Sequence, residues 1–470
     1  MAARRLPLLT PRVVVALALL SAAAIGVVMA VKVGPGTGAT VALLYAPIVL
    51  LNLPLGIGLW LVLIFLKDLP FVWVGPSAAS VLVLVAWPGY LRGLRRDAAR
   101  RGVALNSPLR HHRLLSGLVL ALVVWITLSM AWAPDTTLGA DELWTWYVAG
   151  LVFFIVATVL RSERTVRTIV IAFVVGATLT VAVGLALTGL APANSAIQSA
   201  AQFDGRLSGG AGDPNYLAAG LVPALALAGA LFALTKHVLA RWALLVAITI
   251  MVIGLAASQS RGGILAAAAA TATALVVFRG RRLQVAGVLV LLLSVSGAWF
   301  ASSPGALQRV TNFNGGGTGR SDLWTVAWRI GNEHPVIGVG INNFLHEEQL
   351  FVRRPGPLRN LDLIVDKPHV AHNIYLQLFA ETGVVGVSIY LMVMLLFMLS
   401  AWRAGERWER LGEPGLALIS RAVLVGQAGV MVALIFLSDG ADERFWVLYA
   451  LGPALLSLAY ARERAPQLSR

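Results

Sequence analysis

Apolar runs recur along almost the whole of this 470-residue chain, with short polar linkers between them. They lie at 13–32, 39–52, 54–67, 73–91, 114–133, 143–160, 166–190, 215–235, 238–257, 262–278, 283–301, 383–402, 417–438 and 444–460. A helix needs about 20 apolar residues to cross the ~30 Å hydrocarbon core of a bilayer, and most of these runs come near that length. They are continuous rather than alternating, so helices are expected and a β-barrel is excluded. Only 13% of the residues are charged, about half the share in soluble domains. The expected fold is an all-α polytopic membrane protein. The second and third runs are short and divided by Asn52-Leu53-Pro54. Counted as two spans or set aside as a re-entrant hairpin, they give 12–14 transmembrane helices in all.

The net charge of +15 is spread over short clusters between apolar runs. That is the positive-inside pattern rather than a nucleic-acid surface. With 14 spans the clusters RGLRRDAARRG, RSERTVR, KHVLAR, RGRR, RAGERWER and ARERAPQLSR all fall on one side, the cytoplasmic one, together with both termini. Arg95, Arg164 and Arg281 belong to that side. The N-terminal run 13–32 has no clear cleavage site and reads as a retained helix. There is no cysteine, so disulfides, thiolate nucleophiles and cysteine–metal sites are excluded. No metal-ligand spacing of the D-x-D or H-x-x-x-H kind faces outward, and Asp439, Asp442 and Glu443 form only a diffuse acidic set.

The other side receives the loop GRLSGGAGDPNY, the short turn SQSRGG and the long amphipathic segment 302–371. Three parts are expected: a transmembrane bundle over 1–301, an extracytoplasmic helical cap with the start of a re-entry helix over 302–382, and C-terminal helices over 383–470. Arg206 is either a loop arginine or a ligand for an anion. Arg261 sits between two apolar runs with almost no loop around it, where a guanidinium costs about 2.5–3.5 kcal/mol unless paired or wetted. It either snorkels to headgroups or binds a ligand, and Gly262 and Gly263 let backbone or ligand approach closely. Arg320 enters a helix that Ser321 or Asp322 can cap, and it can pair with Asp322 itself. His372 precedes Asn373 at the start of another helix, as a capping or packing residue or as a proton acceptor. Asn215 opens the helix after the Arg206 loop, and Lys67 stands at the end of the third run as a membrane-edge anchor or as part of an anionic site. Arginine forks on phosphate oxygens, beside a histidine that neighbouring cations keep neutral, suit a lipid carrying a diphosphate.

SRGGIL, GR…W…A…HPVIGVGINNF and HNIYLQLFAETGVVG, in that order and on one face, resemble the motifs of the O-antigen ligase and polymerase superfamily over about 206–386. The resemblance implies a bacterial membrane glycosyltransferase of GT-C type in the cytoplasmic (inner) membrane, with its active site on the periplasmic, extracytoplasmic side. Such an enzyme takes glycan from an undecaprenyl-pyrophosphate carrier and passes it to lipid A–core or another glycan acceptor, inverting at the sugar, with membrane lipids around it and without metal or cofactor. It implies Arg261, Arg320 and Arg206 as diphosphate ligands and His372 as the base, with Asn373, Asn215, Gly262 and Gly263 in support; Lys67 is added from its position. Glu381 is an alternative base. A polymerase-type spacing, arginine followed sixteen positions on by glycine, is not met, because 222, 277 and 336 are all valine. This favours a ligase over a polymerase. A transporter of lipid-linked glycan is the non-enzymatic alternative, though repeated halves and mid-membrane charges would then be expected.

Overall fold

A computed structural model describes residues 45–69, 72, 75–100, 108–190, 201–203, 205–278, 280, 282–302, 305, 308, 319–356, 358, 364–365 and 368–464. The first run, 13–32, and Arg281 lie outside the described residues. The helices are α1 (Leu53–Ile64), α2 (Gly75–Arg100), α3 (Arg113–Ser129), α4 (Thr136–Val159), α5 (Glu163–Leu190), α6 (Pro214–Leu234) and α7 (Val238–Ala257). They continue with α8 (Arg261–Val277), α9 (Arg282–Ser302), α10 (Arg320–Glu333), α11 (Phe344–Val352), α12 (Ile374–Arg410), α13 (Pro414–Ala433) and α14 (Glu443–Arg464). Among the described residues nine helices are long and apolar enough to cross a membrane, and α1, α3 and α8 are shorter apolar helices. The protein is an all-α polytopic membrane protein. One two-residue hairpin, β1 (Gln202–Phe203) with β2 (Arg206–Leu207), pairs antiparallel.

The short runs around Asn52 fold back on one another. Val49 packs directly against Gly56, and the Tyr45 hydroxyl donates to the Gly56 carbonyl at 2.8 Å. An uninterrupted helix would hold residues seven apart about 10 Å from each other. Pro54 follows the capping Asn52, whose side chain accepts from Leu55 N–H, so the break is written locally.

In the main core α13 packs on α6, α8 and α12, and α14 packs on α4, α12 and α13. At one end the basic linkers gather. Arg407 pairs with Glu463, the Trp408 indole donates to the Leu455 carbonyl, and His112 Nε2 lies 2.9 Å from the Pro453 carbonyl. At the other end α10 and α11 form a cap with its own small core of Leu323, Val326, Ile330, Phe344 and Phe351.

The cap is tied to the bundle through a break in α12. Gly383, at φ +66°, interrupts the helix, and the carbonyls that the break frees must find other donors. Segment 335–341 supplies them: Val339 N–H donates to Ala380 O at 3.0 Å and Gly340 N–H to Glu381 O at 2.7 Å, while Val384 N–H returns to Pro335 O at 2.8 Å. A side chain at Gly338 would lie 2.2 Å from the Glu381 backbone, so the approach requires glycine.

Candidate active site

Four helices begin at one place on the cap-side end of the bundle. At α6 the carboxylate of Asp213 accepts from Asn215 and Tyr216 N–H, and Pro214 occupies the first turn. At α8 the Ser260 hydroxyl accepts from Gly263 N–H at 3.1 Å. At α12 the Asn373 amide oxygen accepts from Tyr375 and Leu376 N–H, each at 3.1 Å. The cap helix α10 begins instead with Gly319 at φ +73° and no side-chain cap. Ser321 and Asp322 therefore do not cap it. Gly319 turns the chain so that Arg320 is itself the first helical residue, and Asp322 is buried in the first turn.

The first two N-termini are tied by one amide. The Asn215 side-chain oxygen accepts from Ser260 Oγ at 2.8 Å and from Arg206 Nη2 at 3.1 Å, and Arg206 Nε donates to the Ser258 carbonyl at 2.8 Å. Arg206 thus reaches out of the β1–β2 hairpin and spans the two helix starts, spending these bonds on protein groups.

Arg261 and Arg320 are each the first residue of their helix. A helix N-terminus carries roughly half a positive charge, so a cation there is disfavoured by about 0.3–1 kcal/mol. The two lie near enough for Arg261 to act on Arg320, and a helix start headed by a guanidinium fork has the chemistry to take an anion. Burial lowers the Arg320 pKa from its ordinary value; Asp213 and Tyr216 oppose that shift and Arg261 adds to it.

His372 stands at the edge of this group, half buried, at φ +49°. Among the described residues the non-glycine positions with positive φ are Gln259, Asn342 and His372, and each directly precedes a helix N-cap. For histidine this backbone region is uncommon, and the packed cap holds it between buried Ala371 and Asn373. Burial pulls the imidazole pKa down to about 4, Arg320 and His369 push the same way, and Asp213 opposes them. The ring is neutral at pH 7, the form that accepts a proton.

Glu381 is 1% exposed, and its carboxylate accepts from Gln377 Nε2 at 3.0 Å and from the backbone N–H groups of Asn342 and Phe344. It is a structural acceptor that pins the 341–344 turn. Lys67 is not brought to the arginines either. Its ammonium lies 3.5 Å from Glu443, and Asp442 and Asp439 act on it as well. That acidic set is compact rather than diffuse: Arg444 and Asp442 form a pair exposed by only 2% and 0%. Gly262 and Gly263 provide close approach, but to protein: a side chain at Gly262 would meet Phe436 and one at Gly263 would meet Ala218. Sequence reasoning passed over Asp213, which acts on both Arg320 and His372. Its Asp-Pro order, a capping residue before a first-turn proline, is a helix-start signal that was available.

Residues 244–391 match the O-antigen ligase family. The match runs from within α7 to the middle of α12 and encloses Arg261, Arg320 and His372, whereas Lys67, Arg206 and Asn215 precede it. No curated protein matches the chain.

Proposed function

We propose, from the premise that residues 244–391 form an O-antigen ligase domain, that the chain is a glycosyltransferase. It moves glycan from an undecaprenyl-pyrophosphate carrier to the lipid A–core acceptor on the extracytoplasmic face of the bacterial inner membrane. The observation that carries the reading is the pair of guanidiniums at two converging helix N-termini beside a neutral histidine. Arg261 and Arg320 bind the diphosphate and take up the negative charge that grows on it as the bond to the anomeric carbon breaks. The acceptor hydroxyl attacks that carbon from the opposite face, and its proton passes to His372. The leaving diphosphate keeps the electron pair, and the product is inverted at the sugar. Charge on the leaving group is met by arginine forks, so the reading assigns no step to a metal.

His372 at about 4 is a weak base for an alcohol. A bound diphosphate beside it supplies the negative charge that raises its proton affinity, so the histidine becomes an effective base only when the donor is in place. Arg206 and Asn215 act in this reading by fixing Ser260, and through it the start of α8. Lys67 pairs with Glu443 and takes no part in this reading.

The test is transfer in detergent with purified full-length protein, an undecaprenyl-diphosphate-linked glycan and a lipid A–core acceptor, without nucleotide and with EDTA. The expected result is an inverted glycosidic product at an undiminished rate. Turnover that requires nucleotide sugar, or a product of retained configuration, would sink the reading.

A further inference from the structure

The four helix starts of the candidate site are packed around the end of α13. Phe436, in the turn that follows that helix, has its Cβ 3.0 Å from where a side chain on Gly262 would sit, and its ring lies 6.0 Å from that of Trp324, four residues after Arg320. Tyr375, three residues after His372, donates its hydroxyl to the Met431 carbonyl at 2.7 Å. Gly263 approaches Ala218, one turn into α6, so closely that a side chain on the glycine would lie 2.5 Å from the alanine methyl. Asp213, at the start of α6, therefore belongs to the same junction as the first residues of α8, α10 and α12.

Its carboxylate is fixed there by capping. Oδ1 accepts from Asn215 N–H at 2.6 Å and from Tyr216 N–H at 3.3 Å, and the Asn215 side chain is tied in turn to Ser260 and Arg206. Capping needs an oxygen, which Asn or Ser supplies about as well as Asp. What only aspartate brings is a negative charge, and that charge falls on the reacting groups. Arg320, His369 and Asp213 all act on His372; the first two disfavour the imidazolium, and among the described residues Asp213 is the one whose charge favours it. The same carboxylate acts on Arg320. A base that takes a proton beside Arg320 ends the step as one more cation, and a diphosphate can balance it only until it departs.

We infer that Asp213 is a positioning residue of the transfer step, the resident counter-charge of His372. It stabilises the imidazolium formed when the acceptor hydroxyl gives its proton to the ring, as the oxygen bonds the anomeric carbon and the diphosphate leaves with the bonding pair. The inference rests on the reading of His372 as the base. The same charge works against the diphosphate on Arg320, so one carboxylate speeds the chemistry and loosens the product.

The test is Asp213→Asn, with Asp213→Ser beside it, in the full-length protein in detergent. Both keep a capping oxygen, so both should melt with the native protein. Binding of radiolabelled undecaprenyl diphosphate should tighten roughly tenfold in each, the order expected for one unit charge removed at an effective dielectric of about 20. Single-turnover transfer to lipid A–core at saturating donor should slow by about 10- to 100-fold, a part of the 10²–10⁴-fold that a general base supplies. In a His372→Ala background Asp213→Asn should still tighten binding but no longer slow transfer. A cap and nothing more would weaken binding and transfer together, and that outcome overturns the inference. So does a native single-turnover rate in both neutral variants, or a slowing that persists without His372. If the native protein binds the diphosphate but transfers no glycan, the transferase reading fails and the imidazolium role falls with it. Tighter binding in Asp213→Asn would then still set the carboxylate against the anion.

Discussion

Arg444 and Arg261 stand at the same end of the bundle, each in the first turn of an apolar helix, and they are used in opposite ways. Arg444 is 2% exposed and makes a two-point contact with Asp442, with Nε 2.9 Å from Oδ1. Phe65 lies 5.6 Å from its guanidinium. Its counter-charge is two residues away in the sequence and fully buried with it. Arg261 is exposed, heads a helix whose dipole opposes its charge, and adds to the positive field on Arg320. On the function proposed above, the difference separates a charge that serves the fold from one that prepares a site. In the first the low-dielectric cost of burial is met by a partner built into the same turn. In the second two guanidiniums head neighbouring helices and act on one another, and on the function proposed above an anionic ligand joins them there.

The strongest way to break this contrast is at Arg444. Arg444→Leu leaves Asp442 buried without its cation, and breaking such a pair costs about 3–5 kcal/mol. The variant should be recovered poorly or melt far below the native protein. A well-folded but inactive Arg444→Leu would move this arginine into the site and erase the distinction. His372→Ala should do the reverse, folding normally and binding donor normally while transfer falls about 10²–10⁴-fold, as expected for a lost general base. In the native protein the histidine is neutral above about pH 4. The second-order rate with free enzyme should therefore be flat from pH 8 to 5 and fall only below that. An acid limb near pH 6.5 would show an imidazole free of burial and of Arg320.

A smaller effect sharpens the arginine side. Arg261→Lys and Arg320→Lys keep the charge but lose the fork. Each should raise the half-saturating donor concentration or lower turnover by about 10- to 100-fold, the value of one charge-assisted hydrogen bond at about 1.5–3 kcal/mol, with an unchanged melting temperature. Native kinetics in both lysine variants would leave the helix N-termini alone to hold the anion.

How far the sequence foretold this arrangement depends on the range of the signal. Arg261, Arg320 and His372 were legible because each sits where an apolar or amphipathic run begins, and the alternation of runs puts those beginnings on one side. The bundle itself was legible for the same reason. The break at Gly383 was not, since it depends on Val339 and Gly340 donating to carbonyls some forty residues later. In the one-dimensional pattern Gly383 marks only where apolar residues become continuous, while α12 in fact starts at Ile374. The partner of Lys67 was hidden for a related reason. Glu443 lies at the far end of the chain, and a lysine at the end of an apolar run gives no hint of which charge will fold against it. Arg206 carried the right residue type for anion binding, but its bonds to Ser258 and Asn215 depend on how a two-residue hairpin folds back over α6 and α8.

Glu348 tests the contrast most gently, as a buried charge of a third kind. It is 0% exposed in the cap helix α11, and amides rather than a cation hold it: Gln349 Nε2 donates to Oε2 at 2.8 Å, and the His369 backbone N–H also donates. Burial pushes its pKa up to about 7, above the ordinary 4.5, and those two donors only partly oppose the shift. The folded cap therefore binds a proton that the unfolded cap has released between these values. By linkage its stability is full below pH 4.5 and is lost as pH rises through about 7. Glu348→Gln removes the ionisation while keeping an oxygen for Gln349. At pH 8 the variant should show slower amide exchange across α10 and α11 than the native protein, and at pH 4 the two should match. If the variant instead loosens the cap at pH 8, the ionised carboxylate is a favourable partner there. The rule drawn from Arg444 and Asp442, that a buried charge here needs an opposite charge beside it, would then fail.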